Sequence, residues 1–465
     1  MRGENRGRVI NEDKKKKDTC MTGKILILCF ICLPSLLKAQ TPDVVIYPRP
    51  REDTKLAVAD FVARTSDTSE VQAALEIFDR VLWDDLEFSA FFEMPSKSFY
   101  PLKPLRSPTD VKFDNWQVPT LDVDFLIFGN LQVDSGLAVV EAYLYDVRTR
   151  EQVLGKRYNI SDKALIQRVA HEFADQVVFQ LSAGTSRGVA RAQIAYSSLK
   201  GQGKEIYVMD YDGANQRTIT ANGGLNKFPE WSSDNSKLAF ITHLPRSSRW
   251  ELWIQSLDGG RRVLPLPSSY VASPAFSPDG TQLAFSTREV NGTDAGIYIS
   301  NLDGSRLKNL SNHSAIDSSP TWSPTGRQIG FISDRSGSPQ LWLMDSDGSN
   351  VQRLVREGGH CDSPNWSPDG RFITYSWQPR GQWNHQIYVI EVATGRIFQL
   401  TSGRGSSENP HWSPDGRHIA FQSNRTGAKQ IFVMNADGKN LRQITAYGSN
   451  ESPAWAGYPV TETQE

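Results

Sequence analysis

From residue 193 onward, apolar residues fall in short alternating runs separated by turn residues, and one phrase recurs. It reads Pro, any residue, an aromatic, then Ser-Pro-Asp-Gly and an apolar triplet. The copies are Pro229-Glu-Trp231-Ser-Ser-Asp234-Asn, Pro274-Ala-Phe276-Ser-Pro-Asp279-Gly280 and Pro320-Thr-Trp322-Ser-Pro-Thr-Gly326. It continues as Pro364-Asn-Trp366-Ser-Pro-Asp369-Gly370 and Pro410-His-Trp412-Ser-Pro-Asp415-Gly416, and fades as Pro453-Ala-Trp455. The aromatic residues lie 43 to 46 apart, a blade-like period.

Each unit divides into four strands. The aromatic sits in the first, beside the turn. The second is apolar, as in Leu238–Ile241, Leu283–Ser286 and Ile419–Gln422. The third alternates and usually ends in Asp-Gly (Glu205–Gly213, Glu251–Gly259, Gln430–Gly438), and the fourth is brief (Arg217–Thr220, Arg396–Thr401, Leu441–Thr445). Four strands of about five residues plus four loops of about five fill the period and leave no room for a helix.

The frame is split at its ends. Gln193–Ser198 matches a second strand with no first strand before it, and Pro453–Trp455 is a first strand with nothing after it. A ring resolves both, because the last residues then complete the opening blade and satisfy the edge hydrogen bonds of both termini. The expectation is an all-β six-bladed propeller over residues 192–458, closed by the C-terminal strand, with 459–465 as a tail.

Residues 40–185 follow another pattern. Leu56–Val62 and Val123–Phe128 read as buried strands and Val139–Val147 as an alternating one. Ser69–Leu86 has Val71, Leu75, Phe78 and Leu82 at helical spacing. A second helix is expected from Ser161-x-x-Ala through Leu165, Val169, Phe173 and Val177 to Leu181. Two helices on a mixed sheet make an N-terminal α/β domain, and Gly184–Arg191 serves as the hinge, its linker spanning 186–191.

Composition narrows the function. Of 51 basic and 52 acidic residues, nine and four lie in the first 39, which leaves 42 against 48 in residues 40–465. Without a basic excess, nucleic-acid binding is set aside. Ile25–Leu37 is a 13-residue apolar run containing a Pro, short of the ~20 residues of a spanning helix. Lys14–Lys17 and Lys24 precede it and Ala39 follows, so residues 1–39 read as a removable signal segment, with Met21 a second candidate start. Cys20, Cys29 and Cys32 fall in that segment, and the mature chain keeps Cys361 alone, too few for an internal disulfide.

The candidate chemistry is sparse. In the Pro-Asp-Gly turns Pro presets φ, Asp bonds its own backbone and Gly takes positive φ, so the aspartates read as structural. The repeated Trp/Phe reads as packing between blades. Gly184-Thr-Ser186-Arg-Gly188 spells a nucleophile elbow, yet it follows a helix and leads into the repeats rather than sitting on a strand-to-helix turn. His313 and His360 lie in funnel loops, and His243, His385, His411 and His418 on or near strands; no His spacing follows the blade period, as a metal-dependent lyase would need. His360-Cys361-Asp362 is the one cluster set apart. Two residues before each repeated Pro, where loops enter the inner strands, stand Lys227, Ala272, Ser318, Asp362, Glu408 and Glu451, with Asp317 one step away. Three carboxylates on consecutive blades make an acidic arc facing one Lys. The arc suits basic groups of a partner, or a hard structural cation held through oxygen ligands, or simple solvation. No cofactor is expected.

The chain resembles the TolB family. The helix Arg168–Asp175 through Leu181-Ser-Ala-Gly184, running on to Ala192-Gln-Ile194-Ala195-Tyr196, is similar to that family's domain junction. Asp124–Gly129 is similar to a strand of its first domain, and the Pro-x-Trp-Ser-Pro-Asp-Gly units look like its repeats. The resemblance covers nearly all of residues 43–458; a long pre-signal extension and Cys361 depart from it. It implies a periplasmic, non-enzymatic, monomeric component of the Tol–Pal envelope system, serving outer-membrane integrity and cell division. The propeller funnel would hold the lipoprotein Pal, with contacts carried to Tyr270, Ser273, Ser318 and Ser319. The segment Asp43, Val44, Val45, Ile46 and Tyr47 would meet TolA. Two other readings remain: a propeller-containing enzyme (a metal-dependent sugar lyase or a peptidase-associated propeller), and a paralogue that binds another envelope protein.

Overall fold

The computed structural model describes residues 54–64, 68–134, 137–162, 165–199, 201, 203–289, 292 and 294–458. The expected TolA-facing segment Asp43–Tyr47 lies outside them.

The N-terminal sheet is mixed. Strands β1 (Leu56–Val58) and β2 (Val62–Ala63) both pair in parallel with β3 (Phe125–Asp134), which continues antiparallel to β4 (Leu137–Asp146) and β5 (Gln152–Ile160). The expected single strand Leu56–Val62 is therefore two. The break has a local cause: the Phe61 N–H turns to the Asp79 carboxylate, 3.0 Å to one oxygen and 3.2 Å to the other, instead of to β3. Strand β5 escaped the sequence pattern because most of its residues are exposed and do not alternate.

Helix α1 (Ser69–Phe88) starts where expected. The Thr68 side chain caps it by accepting from Val71 N, and Val71, Leu75, Phe78 and Leu82 are all buried. Helix α2 (Ile166–Leu181) begins later than the Ser161 signal. Ile160 still belongs to β5, and the chain turns first, with Leu165 N donating to Asp162 O.

Beyond residue 192 the described strands form five sheets arranged as a propeller. Four are four-stranded and antiparallel, with innermost strands Val271–Phe276, Asp317–Trp322, Gly359–Trp366 and Ser407–Trp412. The fifth has eight strands in two sets. In one, Ser449–Trp455 pairs with Gln193–Leu199, followed by Lys204–Asp210 and Arg217–Thr218; the other runs from Leu225–Trp231 out to Arg261–Val263. One parallel pairing, Lys204 with Leu225, joins the sets. Glycines permit that approach: a side chain on Gly203 would press on the Gly223–Gly224 backbone, and one on Gly224 on the His243 carbonyl.

The repeated aromatics are buried against the preceding sheet. Trp322 packs with Ala275, Ala284 and Ile297; Trp366 with Ile332, Leu341 and Leu343; Trp412 with Ile387 and Val389. Trp231 also donates through Nε1 to Ala454 O at 3.1 Å. In the turns, Asp234, Asp279, Asp369 and Asp415 each accept from the Ser hydroxyl two residues before and the backbone N–H two residues after. These contacts account for the aspartates as turn residues.

The helices share one apolar core with the propeller, in which Phe78, Phe173 and Val177 join Tyr196, Met209, Tyr211 and Trp455. Asp85 of α1 sits within it, bonded to His171 Nδ1 of α2 at 2.8 Å and accepting from the Tyr211 hydroxyl at 2.5 Å. The end of α1 meets the propeller again: His418 stacks on Phe88 and donates to its carbonyl at 2.6 Å, and Arg417 lies over the Phe91 ring. The stretch between helix and repeats is pinned rather than free. Asp175 accepts from Ala190 N, Arg191 N and Arg191 Nε, and Ser186, Val189 and Ala190 are buried. Ser186 is thereby sequestered: Ser182 Oγ accepts from its N–H, and its own hydroxyl accepts from Gly188 N.

Two outcomes follow from this buried polar joint. Replacing Tyr211→Phe leaves a buried carboxylate one hydrogen bond short and should cost about 1–3 kcal/mol in chemical denaturation; an unchanged midpoint would refute the bond's contribution. Burial also raises Asp79 to about 7 and Asp175 to about 6, and the Asp85 bond and charge hold His171 up against the effect of its own burial. All three bind protons more tightly folded than unfolded, so their stabilising share is largest at low pH and is lost as pH rises through the folded values. The melting temperature should fall between pH 5 and 8, and Asp79→Asn should flatten that slope.

Candidate protein-binding mouth and channel

The six innermost strands place equivalent residues at one level. Lys227, Ala272, Ser318, Asp362, Glu408 and Glu451 each occupy the last regular pairing position before a register shift, opposite Ile241, Ser286, Ile332, Ser376, Gln422 and Ser197. The next residue in every strand is left-handed: φ is 53° at Phe228, 48° at Ser273, 52° at Ser319, 50° at Ser363, 52° at Asn409 and 53° at Ser452. Each precedes the repeated Pro, where left-handed backbone is uncommon for a non-glycine residue. Six bulges thus turn six strands inward together.

These residues, the prolines and five of the six residues after them line a central cavity of about 100 Å³. That is below the ~300–1,000 Å³ typical of small-molecule pockets. Its lining is chemically mild apart from Glu230 and His411, whose Oε2 and Nε2 stand 3.5 Å apart. A chain of hydrogen bonds ties the strands at this waist. Ser319 Oγ donates to Asp362 Oδ1 at 3.1 Å and Ser363 Oγ to Asn409 Oδ1 at 3.0 Å. Asn409 Nδ2 donates to Ser452 Oγ at 2.9 Å, and Ser452 N to Gln422 Oε1 at 2.8 Å.

Around the mouth the acidic positions are supplied with partners. Glu451 forms an ion pair with Lys204. Glu408 accepts from Gln422 Nε2 at 2.8 Å and Lys429 Nζ at 3.3 Å, with His385 Nδ1 at 3.9 Å. Asp362 accepts from Ser319 and from Ser363 N at 2.7 Å. Asp317 belongs elsewhere: it is 0% exposed and held by Arg335 at 3.1 and 2.9 Å, so it pins its strand instead of facing the mouth. Tyr270 is half-buried beneath the Arg288 guanidinium, 4.7 Å from the ring centre, and burial pushes its hydroxyl up. Lys227, Ser273 and Ser318 are partly exposed at the rim.

The His360-Cys361-Asp362 cluster does not converge. Alternation puts Cys361 in the core, its Sγ 3.8 Å from Gln340 Oε1 and its thiol pushed up to about 12 by burial, while His360 and Asp362 are not buried. Among the described residues, no three His, Cys, Asp or Glu side chains gather in a geometry able to hold a metal ion. No described helix is long and apolar enough to cross a membrane.

Sequence reasoning placed the rim positions and, through the family resemblance, reached the waist at Ser273 and Ser319, but it missed Ser363, Asn409 and Ser452. These three lie one residue nearer the prolines than Asp362, Glu408 and Glu451, the positions it selected on those strands. A signal was present: five of the six residues before the repeated prolines are Ser or Asn.

Inward-bulged strands around a narrow polar waist, with an α/β domain packed on them, define a propeller scaffold. The family description that matches is the TolB beta propeller domain, over residues 182–384 and 355–458. The Tol-Pal system protein TolB of Desulfosudis oleivorans is 34% identical over 243 residues, 51% of this chain and 53% of that one. The TolB homolog of Chlorobium chlorochromatii is 31% identical over 328 residues, 69% of this chain and 70% of its own. The crystal structure of TolB from Acinetobacter baumannii superposes with a TM-score of 0.73 at 24% identity, covering 88% of this chain and 98% of that one, a likeness of fold. The chain belongs to the TolB family. Its match spans about half the length of several of these relatives, 53% in the Desulfosudis protein and 42% in that of Hydrogenovibrio crunogenus.

The waist yields a test of its bulges. At Asn409, Ala loses both hydrogen bonds and strains a left-handed backbone, whereas Gly loses only the bonds. Asn409→Ala should therefore cost about 2–3 kcal/mol and Asn409→Gly about 1 kcal/mol less, the reverse of the usual order. Equal costs in urea titrations would remove backbone strain from the account.

Proposed function

We propose that this chain is a non-enzymatic, exported component of the Tol–Pal system that binds protein partners in the periplasm. In this reading six blades form a ring over residues 192–458, closed by Ser449–Trp455 beside Gln193–Leu199, with the α/β domain of residues 40–185 attached through 186–191. The mouth holds Pal, and residues 43–47 meet TolA. Membership of the TolB family supports the system, and relatives carrying the name Tol-Pal system protein TolB support the first partner. The observation that carries the site is the row of six left-handed residues around one small waist. Backbone strain repeated at equivalent positions marks a working surface, and a cavity this size suits a protein rim better than an enclosed substrate.

Two measurements test the proposal. Calorimetry with the purified periplasmic domain of Pal should give saturable one-to-one binding, lost on Asn409→Trp, which fills the waist; no binding to the unaltered chain would reject the Pal reading. Deleting residues 449–465 should lower the melting temperature sharply by leaving Gln193–Leu199 without its neighbour. A truncated chain that melts unchanged would reject ring closure.

A further inference from the structure

The 12 Trp residues are not used alike. Among the described residues they are buried or partly buried with one exception, Trp383, which is 92% exposed. Of the described Tyr residues, only Tyr447 is in the exposed class, at 85%. Both stand at the mouth. Trp383 is in the turn after Phe372–Pro379, and Pro379 pairs with Gly359, the first residue of an innermost strand. Tyr447 lies two residues before Ser449, the first residue of another, and its carbonyl accepts from Asn450 Nδ2 at 2.9 Å.

Glu408 lies between these two loops. On one side His385, two residues beyond Trp383, approaches it, and the His385 carbonyl accepts from Ser407 N at 2.8 Å. On the other, Lys429 pairs with it, and the Lys429 carbonyl accepts from Asn450 N at 2.8 Å. Two exposed aromatics are thus mounted on hydrogen-bonded loops either side of a carboxylate already supplied with a cation. With Glu451 paired to Lys204 as well, two of the three carboxylates of the arc already have a cation, and Asp362 accepts from Ser319 and Ser363.

We infer that Trp383 and Tyr447 are the anchors by which the mouth grips its protein partner, and that the partner offers two apolar pockets rather than a basic patch. This rests on the mouth being the partner-binding surface. Large aromatics bury much area at low entropy cost and dominate interface energetics, whereas ion pairs already satisfied at a rim change little. Their exposure in the unpartnered chain is the cost that binding relieves.

The test is calorimetry of the full chain with the periplasmic domain of Pal. Trp383→Ala and Tyr447→Ala should each weaken binding on the order of tenfold or more, and the double variant further. Leu102→Ala, at a fully exposed site in the N-terminal domain, should stay within about threefold, and Glu408→Gln should weaken binding less than either aromatic variant. Trp383, Tyr447 and Leu102 are exposed side chains and Glu408→Gln keeps the side chain's size, so far-ultraviolet circular dichroism should report unaltered folding. If the chain binds Pal but the aromatic variants bind as well as it does, or Glu408→Gln carries the loss, the anchors are refuted and the mouth reading stands. If the chain does not bind Pal at all, both fall together.

Discussion

Burial of one aromatic per repeat against the neighbouring sheet is the interaction on which the rest depends. A four-stranded sheet of this size cannot cover both of its faces, and the Trp or Phe of the next innermost strand supplies the missing apolar surface. Because that residue sits at a fixed distance from a Pro and a turn, each docking event also fixes where the strand bulges. The inward row of left-handed residues thus recurs with the period of the aromatic.

The waist turns this regularity into a surface. Serine and asparagine side chains there pass hydrogen bonds from one strand to the next, so the backbone strain is supported laterally rather than by each sheet alone. Two of the acids at the rim, Glu451 and Glu408, are paired internally with Lys204 and Lys429. Facing outward with the remaining charges of Lys227 and Asp362 are polar groups and two aromatic rings, and aromatics are enriched at protein interfaces.

The N-terminal domain is joined to the propeller by more than its connecting segment. Asp85, His171 and Tyr211 make a buried polar contact inside an otherwise apolar core, and His418 and Arg417 seat the end of α1. A buried carboxylate is tolerable only while its donors stay in place, so the contact fixes one relative position of helix and sheet. A change of orientation between the two parts would have to break it.

Much of this was legible in the linear chain. Period, turn chemistry and strand alternation are local properties, and they gave four-stranded units, the helix from Ser69, the structural aspartates of the turns and the level of the rim. Other features depended on partners far along the chain. Leu56–Val62 reads as one strand, yet a carboxylate at position 79 divides it. Asp317 reads as a rim acid, yet a guanidinium 18 residues on draws it inside. Glu408 and Glu451 read as an acidic arc until Lys429 and Lys204 arrive beside them. Trp383 looks like its eleven fellows until the fold leaves it alone in solvent. Periodicity follows from backbone geometry and is written in neighbouring residues, whereas exposure and charge compensation are set by which distant side chains the tertiary structure brings together.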